Sequence, residues 1–208
     1  MSDDKVTDVR VIEDRLIAAG ISPFAGVDEA GRGACAGPLV IASVILKDHR
    51  SPELQQVRDS KELSENMREE LFDVVSDGAI SMSVIIVSHD EIDTRGVHAA
   101  NLDGMRRAVQ GLDIAPAYVL TDGYPIAGLA TPNLAVWKGD QVVTCISAAS
   151  IIAKVTRDRI MRELDGTYPV YGFKSHKGYI TKAHTTALEK HGVSPVHRRS
   201  FANIAALL

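Results

Sequence analysis

Residues 26–46 read GVDEAGRGACAGPLVIASVIL, and the segment after Gly33 decides the architecture. Gly31-Arg32-Gly33-Ala34-Cys35-Ala36 formally satisfies the G-x-G-x-x-G/A dinucleotide fingerprint behind a short apolar run. That fingerprint needs a helix to begin at the glycines, so that its N-terminus faces a pyrophosphate. Here Gly37-Pro38 leads instead into Leu39–Leu46, LVIASVIL, a β-branched run that reads as a strand. The context therefore argues against a nucleotide-cofactor fold, and residues 24–27 and 39–46 are expected to be two strands joined by a Gly-rich turn.

Outward from this pair, Ala79–Val87 is a third apolar run, and three strands in succession predict an antiparallel meander. Val9, Val11, Ile12, Leu16 and Ile17 fall at helical spacing, which predicts an amphipathic helix over 6–19 closed by Gly20. Helices are also expected over 64–76, behind an imperfect capping box at Ser64 and Met67, and over 97–111, 144–164 and 181–191. Strands are expected over 117–121, which stops at the turn signal Asp122-Gly123, and over 133–137. Strands first, then helices alternating with strands, predict an α/β fold with one mixed sheet. No repeat or linker divides the chain, so residues 1–208 are expected to form a single domain.

The 208 residues are 45% hydrophobic with a net charge of -4 and a pI near 6.0, enough to bury one sizeable core. The opening MSDDKVTDVR has no apolar run behind a basic start, and no window approaches roughly 18 apolar residues. No membrane partner is expected, and the expected location is cytoplasmic. Cys35 and Cys145 have no metal or redox spacing and read as reduced core residues. Residues 154–200 hold ten Lys or Arg against four Asp or Glu, a basic quarter on an acidic chain. That suits a nucleic-acid partner, although solvated helix faces give the same count.

Asp28 and Glu29 stand on an apolar strand, where an unpaired carboxylate is costly to bury. A salt bridge to Arg32 is one way to hold them. Asp122 at the end of AYVLT and Asp140 in Lys138-Gly139-Asp140 suggest another, because sites commonly form where strand ends meet solvent. Four acids from separate segments, without a Cys/His set, match hard-ion ligation, and oxygen-only sites favour Mg²⁺ or Mn²⁺. Two such ions roughly 4 Å apart would activate a water and stabilise the leaving oxygen of a phosphodiester, which is nuclease chemistry. Adjacent strand side chains point to opposite faces, so Asp28 and Glu29 share a site only if the strand bends or a carbonyl substitutes. Arg32 between glycines reads as backbone able to press on a ligand and form an anion nest, or as a tight turn with a solvated arginine. Tyr179 reads as a stacking ring in a basic loop or as a core tyrosine.

In order, GVDEAGRG with AGPLV behind it, Asp59-Ser60-Lys61 with Leu63-Ser64, Thr121-Asp122-Gly123, Lys138-Gly139-Asp140, SAASIIAKVTRDR over 147–159, YGFKSHKGY over 171–179 and HRRSF over 197–201 resemble the type 2 ribonuclease H family, bacterial ribonuclease HII. The resemblance implies a ribonuclease H-like mixed β-sheet flanked by helices, with a C-terminal helical extension over about 165–208 that closes over the duplex. It implies metal-binding catalytic acids at Asp28, Glu29, Asp122 and Asp140, with two Mn²⁺ or Mg²⁺ ions once substrate is bound. Gly31, Arg32 and Gly33 resemble the motif that senses the RNA–DNA junction, and Tyr179 the tyrosine that stacks on the deoxyribose beyond the ribonucleotide. Ser60, Lys61, Lys177 and Lys182 are then candidate phosphate contacts.

The implied reaction is hydrolysis on the 5′ side of a ribonucleotide, leaving a 3′-hydroxyl and a 5′-phosphate. Its partners are RNA–DNA hybrids and ribonucleotide-containing duplex DNA, acted on by a monomer. A structure-specific DNA nuclease and a non-catalytic nucleic-acid-binding module are the alternatives. About 23 residues precede the first strand, too few for the N-terminal substrate-binding domain of the sister type 3 family. Ala34-Cys35 and Gln141–Cys145 depart from the family pattern, and Cys35 near the site predicts sensitivity to oxidation. The seven histidines show no metal spacing and are expected to carry no chemistry.

Overall fold

The computed structural model describes residues 11–54 and 64–208. Helix α1 (Val11–Ala18) leads into β1 (Phe24–Ala30) and β2 (Leu39–Leu46), followed by α2 (Glu65–Gly78), β3 (Ala79–Val87), α3 (His89–Arg95) and α4 (Val97–Gln110). Next come β4 (Tyr118–Asp122), β5 (Asn133–Val136), the short α5 (Gly139–Val142), α6 (Thr144–Thr167), α7 (Phe173–His176), α8 (Lys182–His191) and α9 (Ala202–Ala205). The strands form one sheet in the order β3-β2-β1-β4-β5. β3, β2 and β1 are antiparallel neighbours, the expected meander, and β4 and β5 join parallel to β1.

The run LVIASVIL is apolar throughout because both faces of β2 are covered. Val40, Ala42 and Val44 pack against Ala148, Ala149 and Ile152 of α6, while Leu39 and Ile41 pack against Met105 and Ala108 of α4. Each such aliphatic side chain contributes about 1.5–3 kcal/mol of burial, so α6 and α4 clamp the sheet from opposite sides. The helix α6 passes so close to β1 that a Cβ on Gly26 would lie 2.1 Å from the Cys145 carbonyl carbon. Val143 at its N-cap offers no side-chain acceptor. The fully buried Glu13 of α1 does so in its place, accepting from Thr144 N–H at 3.0 Å and Cys145 N–H at 2.9 Å. The apolar approach at 141–143 is thus compatible with a capped helix, since the cap comes from another element.

Several boundaries differ from expectation. β1 runs on to Ala30, paired with β2 through Ala30↔Val40, so Asp28 and Glu29 lie inside the strand and not beyond its end. Ser64 does cap α2, accepting Met67 N–H at 3.3 Å, but Met67 has no oxygen to complete the box. The helix α3 was not expected, although Ser88 and Glu91 have capping-box spacing and Ser88 Oγ accepts Glu91 N–H at 3.1 Å. α5, α7 and α9 have four residues each, too short for periodicity to mark. Residues 6–10 of the helix expected over 6–19 lie outside the described residues, as do Ser60 and Lys61.

The C-terminal helices dock onto the Gly-rich turn through Cys35 and Ala36, which pack with Met161, Phe173 and Leu188. Backbone bonds fasten the same contact: Cys35 N–H to Gly178 C=O, Gly37 N–H to Val196 C=O and Arg198 N–H to Cys35 C=O, each 2.9 Å. Both cysteines are buried and free, as expected. Among the described residues no helix is long and apolar enough to cross a membrane.

Candidate active site

The pairing of β1 with β4 ends at Val27↔Thr121, so Asp28 and Asp122 are the next residues on two parallel neighbours. Strand alternation turns Asp28 toward α6, the side where Gly26 meets Cys145 and Ala30 packs. Its Oδ1 accepts Glu29 N–H at 2.7 Å, and Ser150 of α6 bonds the same carboxyl. Burial pushes the Asp28 pKa well above the usual carboxylate range, and the charges of Glu29 and Asp122 push it further. The Ser150 and Glu29 hydrogen bonds oppose that rise.

Asp122 Oδ1 accepts Gly139 N–H at 2.7 Å. Lys138, in left-handed backbone at φ 53, makes the turn that brings this N–H round. Asp140, 3% exposed, is the next residue, and its carbonyl accepts Ser147 Oγ at 2.6 Å. Asp28, Glu29 and Asp122 border one cleft of about 430 Å³ together with Gly31, Arg32, Gly33 and Tyr179. Asp140, next in sequence to the Gly139 that bonds Asp122, is not among the residues bordering the cleft. Glu29 lines the cleft although β1 keeps its register with β2 through Ala30. Among the described residues no three His, Cys, Asp or Glu side chains are gathered into a ready-made metal cage.

Arg32 Nη1 donates to Tyr124 Oη at 2.7 Å, and its guanidinium stands 4.4 Å from that ring centre. The arginine is thereby held by the segment after β4 and is not solvated in a plain turn. Tyr179 is 41% exposed at the cleft, which rules out the core reading. Lys177 is buried, its Nζ donating to Glu65 at 3.2 Å and to Lys174 C=O at 2.7 Å, and Lys182 is exposed at the start of α8. Neither lysine is among the cleft residues. Cys35 does not suit the oxidation role expected of it: burial raises its pKa and its thiol donates to Gly178 C=O at 3.4 Å, so thiolate is scarce.

Three cleft residues were not singled out from the sequence: Arg68, Ser150 and Lys154. A signal existed, since Ser147, Ser150, Lys154 and Arg157 recur at three- and four-residue steps through the part of α6 that is richest in Ala and Ile. Lys154 Nζ donates to Asp158 Oδ1 at 2.5 Å; burial lowers its pKa and Asp158 counters.

A family model described as Ribonuclease HII matches residues 25–204. A protein of Nocardioides sp. named Ribonuclease HII is 57% identical over 192 residues, spanning 92% of this chain and 80% of that one. The solved ribonuclease H2 of Pyrococcus horikoshii OT3 superposes with a TM-score of 0.77 at 32% identity, covering 88% of this chain and 96% of that one. Bst-RNase HIII in complex with Mn²⁺ superposes at 0.65 with 16% identity over 88% of this chain and 68% of that one, a likeness of fold alone.

Proposed function

The chain belongs to the ribonuclease HII family, and on that premise we propose that it is an endonuclease that hydrolyses the phosphodiester 5′ to a ribonucleotide. Its substrates are RNA–DNA hybrids and duplex DNA holding single ribonucleotides, and its products end in 3′-hydroxyl and 5′-phosphate. The observation that carries the reading is one cleft lined by the carboxylates together with the Gly31–Gly33 backbone and the Tyr179 ring. Only a 2′-hydroxyl distinguishes RNA from DNA at a single position, and backbone groups pressed close to a sugar suit its readout. Tyr179 offers a face for the neighbouring sugar, and Arg68 and Lys154 bring positive charge to the same cleft for phosphate oxygens.

The acids fit divalent cations. Asp28 is buried against two like charges, an arrangement that a hard cation relieves, and its neighbours are oxygen donors. Asp28, Glu29, Asp122 and Asp140 would hold Mg²⁺ or Mn²⁺, two ions with substrate bound. Such ions supply Lewis-acid stabilisation of the attacking and leaving oxygens. Ser150 and the Glu29 amide orient Asp28, while Gly139 N–H orients Asp122. The 208 residues are proposed to act as one catalytic domain, a cytoplasmic monomer that clears RNA and misincorporated ribonucleotides from DNA.

The test offers three duplexes, one with a single ribonucleotide, one a long hybrid and one all DNA, each with Mg²⁺ or Mn²⁺. Cutting of the first two at the 5′ side of ribonucleotides is expected. Cutting of the all-DNA duplex would favour a structure-specific DNA nuclease, and no cutting at all a binding module.

A further inference from the structure

Behind the Gly31–Gly33 turn lie two arginines, Arg157 of α6 and Arg198 of the C-terminal segment, both with 0% exposure. Their hydrogen bonds end on main-chain carbonyls of one loop. Arg157 Nε donates to Pro38 C=O at 2.9 Å and its Nη2 to Ala36 C=O at 3.1 Å. Arg198 Nε donates to Gly37 C=O at 3.0 Å and its Nη1 to Arg32 C=O at 3.0 Å. Four carbonyls of the segment between β1 and β2 are thus held by two forks.

The same guanidinium touches both reading elements. The Arg157 carbon Cζ lies 5.5 Å from the Tyr179 ring centre. A Cβ on Gly31 would fall 1.8 Å from Arg157 Nε, so the guanidinium occupies the space that any side chain at 31 would take. Arg157 Nη1 and Arg198 Nη2 are buried without a hydrogen-bond partner among the described residues. Two cations buried this close repel one another and are costly to desolvate. Packing alone would favour apolar residues of similar volume here, so the charges call for a use.

We propose that Arg157 and Arg198 are positioning residues for ribonucleotide selectivity: they fix the carbonyls of residues 32–38 and the Tyr179 ring in one geometry without touching substrate. The inference rests on the activity proposed above. An arginine fork spans two carbonyls, whereas a lysine keeps the charge but offers one compact head. Arg→Lys therefore separates geometry from charge.

The experiment measures kcat and KM for wild type, Arg157→Lys and Arg198→Lys on the single-ribonucleotide duplex and on the long hybrid. A misplaced reading loop is expected to lower kcat on the single ribonucleotide about 100-fold, with KM nearly unchanged. On the hybrid, where no RNA–DNA junction has to be read, the loss is expected to be about tenfold smaller. A purely structural role would lower the melting temperature and scale both substrates together; an unchanged substrate ratio in folded variants overturns the proposal. Should the variants fail to fold, ¹⁵N NMR of the wild type replaces them. The Nε–H signals of Arg157 and Arg198 should exchange slowly and shift when the single-ribonucleotide duplex binds without divalent ions, and signals that stay put overturn the proposal. A wild type that leaves every ribonucleotide-containing duplex intact would instead sink the activity itself, before any variant is made.

Discussion

The two walls of the cleft are built on opposite electrostatic principles. On the acid wall, Asp28 is buried beside Glu29 and near Asp122, so like charges crowd one another at the sheet end. On the reading wall, Arg157 and Arg198 are cations laid on carbonyls, and the turn they hold is tied further by backbone bonds to Gly178 and Val196. The first arrangement is unfavourable until a cation arrives. The second also carries like charges, but its forks already rest on carbonyls before any ligand binds. Charge that only a ligand can offset thus sits where the chemistry is proposed, and charge already laid on the backbone where recognition is proposed.

Replacing Asp28 breaks the contrast most sharply. Asp28→Asn keeps the shape and the Glu29 N–H bond but removes a ligand charge, and cleavage should fall about 1000-fold or more, ~4 kcal/mol of barrier. Stability should move the other way. A carboxyl whose folded pKa is raised opposes folding when ionised, a cost relieved as pH falls through that raised value. The metal-free variant should therefore melt above metal-free wild type at neutral pH, and added Mg²⁺ should narrow the gap. A metal-free variant that melts lower would show that Asp28 is a structural acid.

The acid wall was far more legible in sequence than the reading wall. Asp28 and Glu29 interrupt the apolar run of β1 and Asp122 closes β4, and an apolar run broken by carboxylates is itself the signal. The mixed sheet was legible for the same reason, because LVIASVIL has no helical reading that suits Gly37-Pro38 before it. The support behind the reading wall was not. Arg157 and Arg198 are far apart in the chain, and within TRDR and HRRSF nothing distinguishes a buried arginine from a solvated one. Lys177 shows the same limit: its basic loop suggests a phosphate contact, and sequence gives no sign that its ammonium bonds Glu65 and the Lys174 carbonyl here. Contacts between distant segments, not local pattern, decide where long cationic side chains point.

The histidines behind Tyr179 show how acid should loosen the reading wall, a smaller effect. Ser194 N–H donates to His197 Nδ1 at 3.0 Å, the Nε2 atoms of His197 and His184 lie 3.0 Å apart, and His184 Nδ1 lies 3.0 Å from Tyr179 C=O. With His184 Nδ1–H donating to that carbonyl, its Nε2 accepts from His197 Nε2–H, and every nitrogen is matched only while both rings are neutral. Burial and the neighbouring His184 lower the His197 pKa to about 4. Its folded pKa lies below the unfolded value of 6.5, so the stability it contributes is full above pH 6.5 and lost as pH falls toward 4. Between pH 7.5 and 5 the loss should reach roughly 2 kcal/mol, read as a falling denaturant midpoint. A flat profile over that range would mean that the relay is not holding the wall.

Glu13 offers the mildest test, and it asks whether the acid wall depends on its support as the reading wall is proposed to. Its carboxylate caps α6 from α1, fixing the helix that carries Ser150 toward Asp28. Glu13→Gln keeps one oxygen for Thr144 or Cys145 but sets an amide N–H against the other donor. One buried hydrogen bond is lost, about 1 kcal/mol, or roughly 2–4 °C in melting temperature for a chain of this size. The carboxylates at the cleft are untouched, so kcat should stay within about threefold of wild type. If Glu13→Gln instead costs as much activity as Asp28→Asn, the acids work only when α6 is held in register, and both walls are governed by what lies behind them.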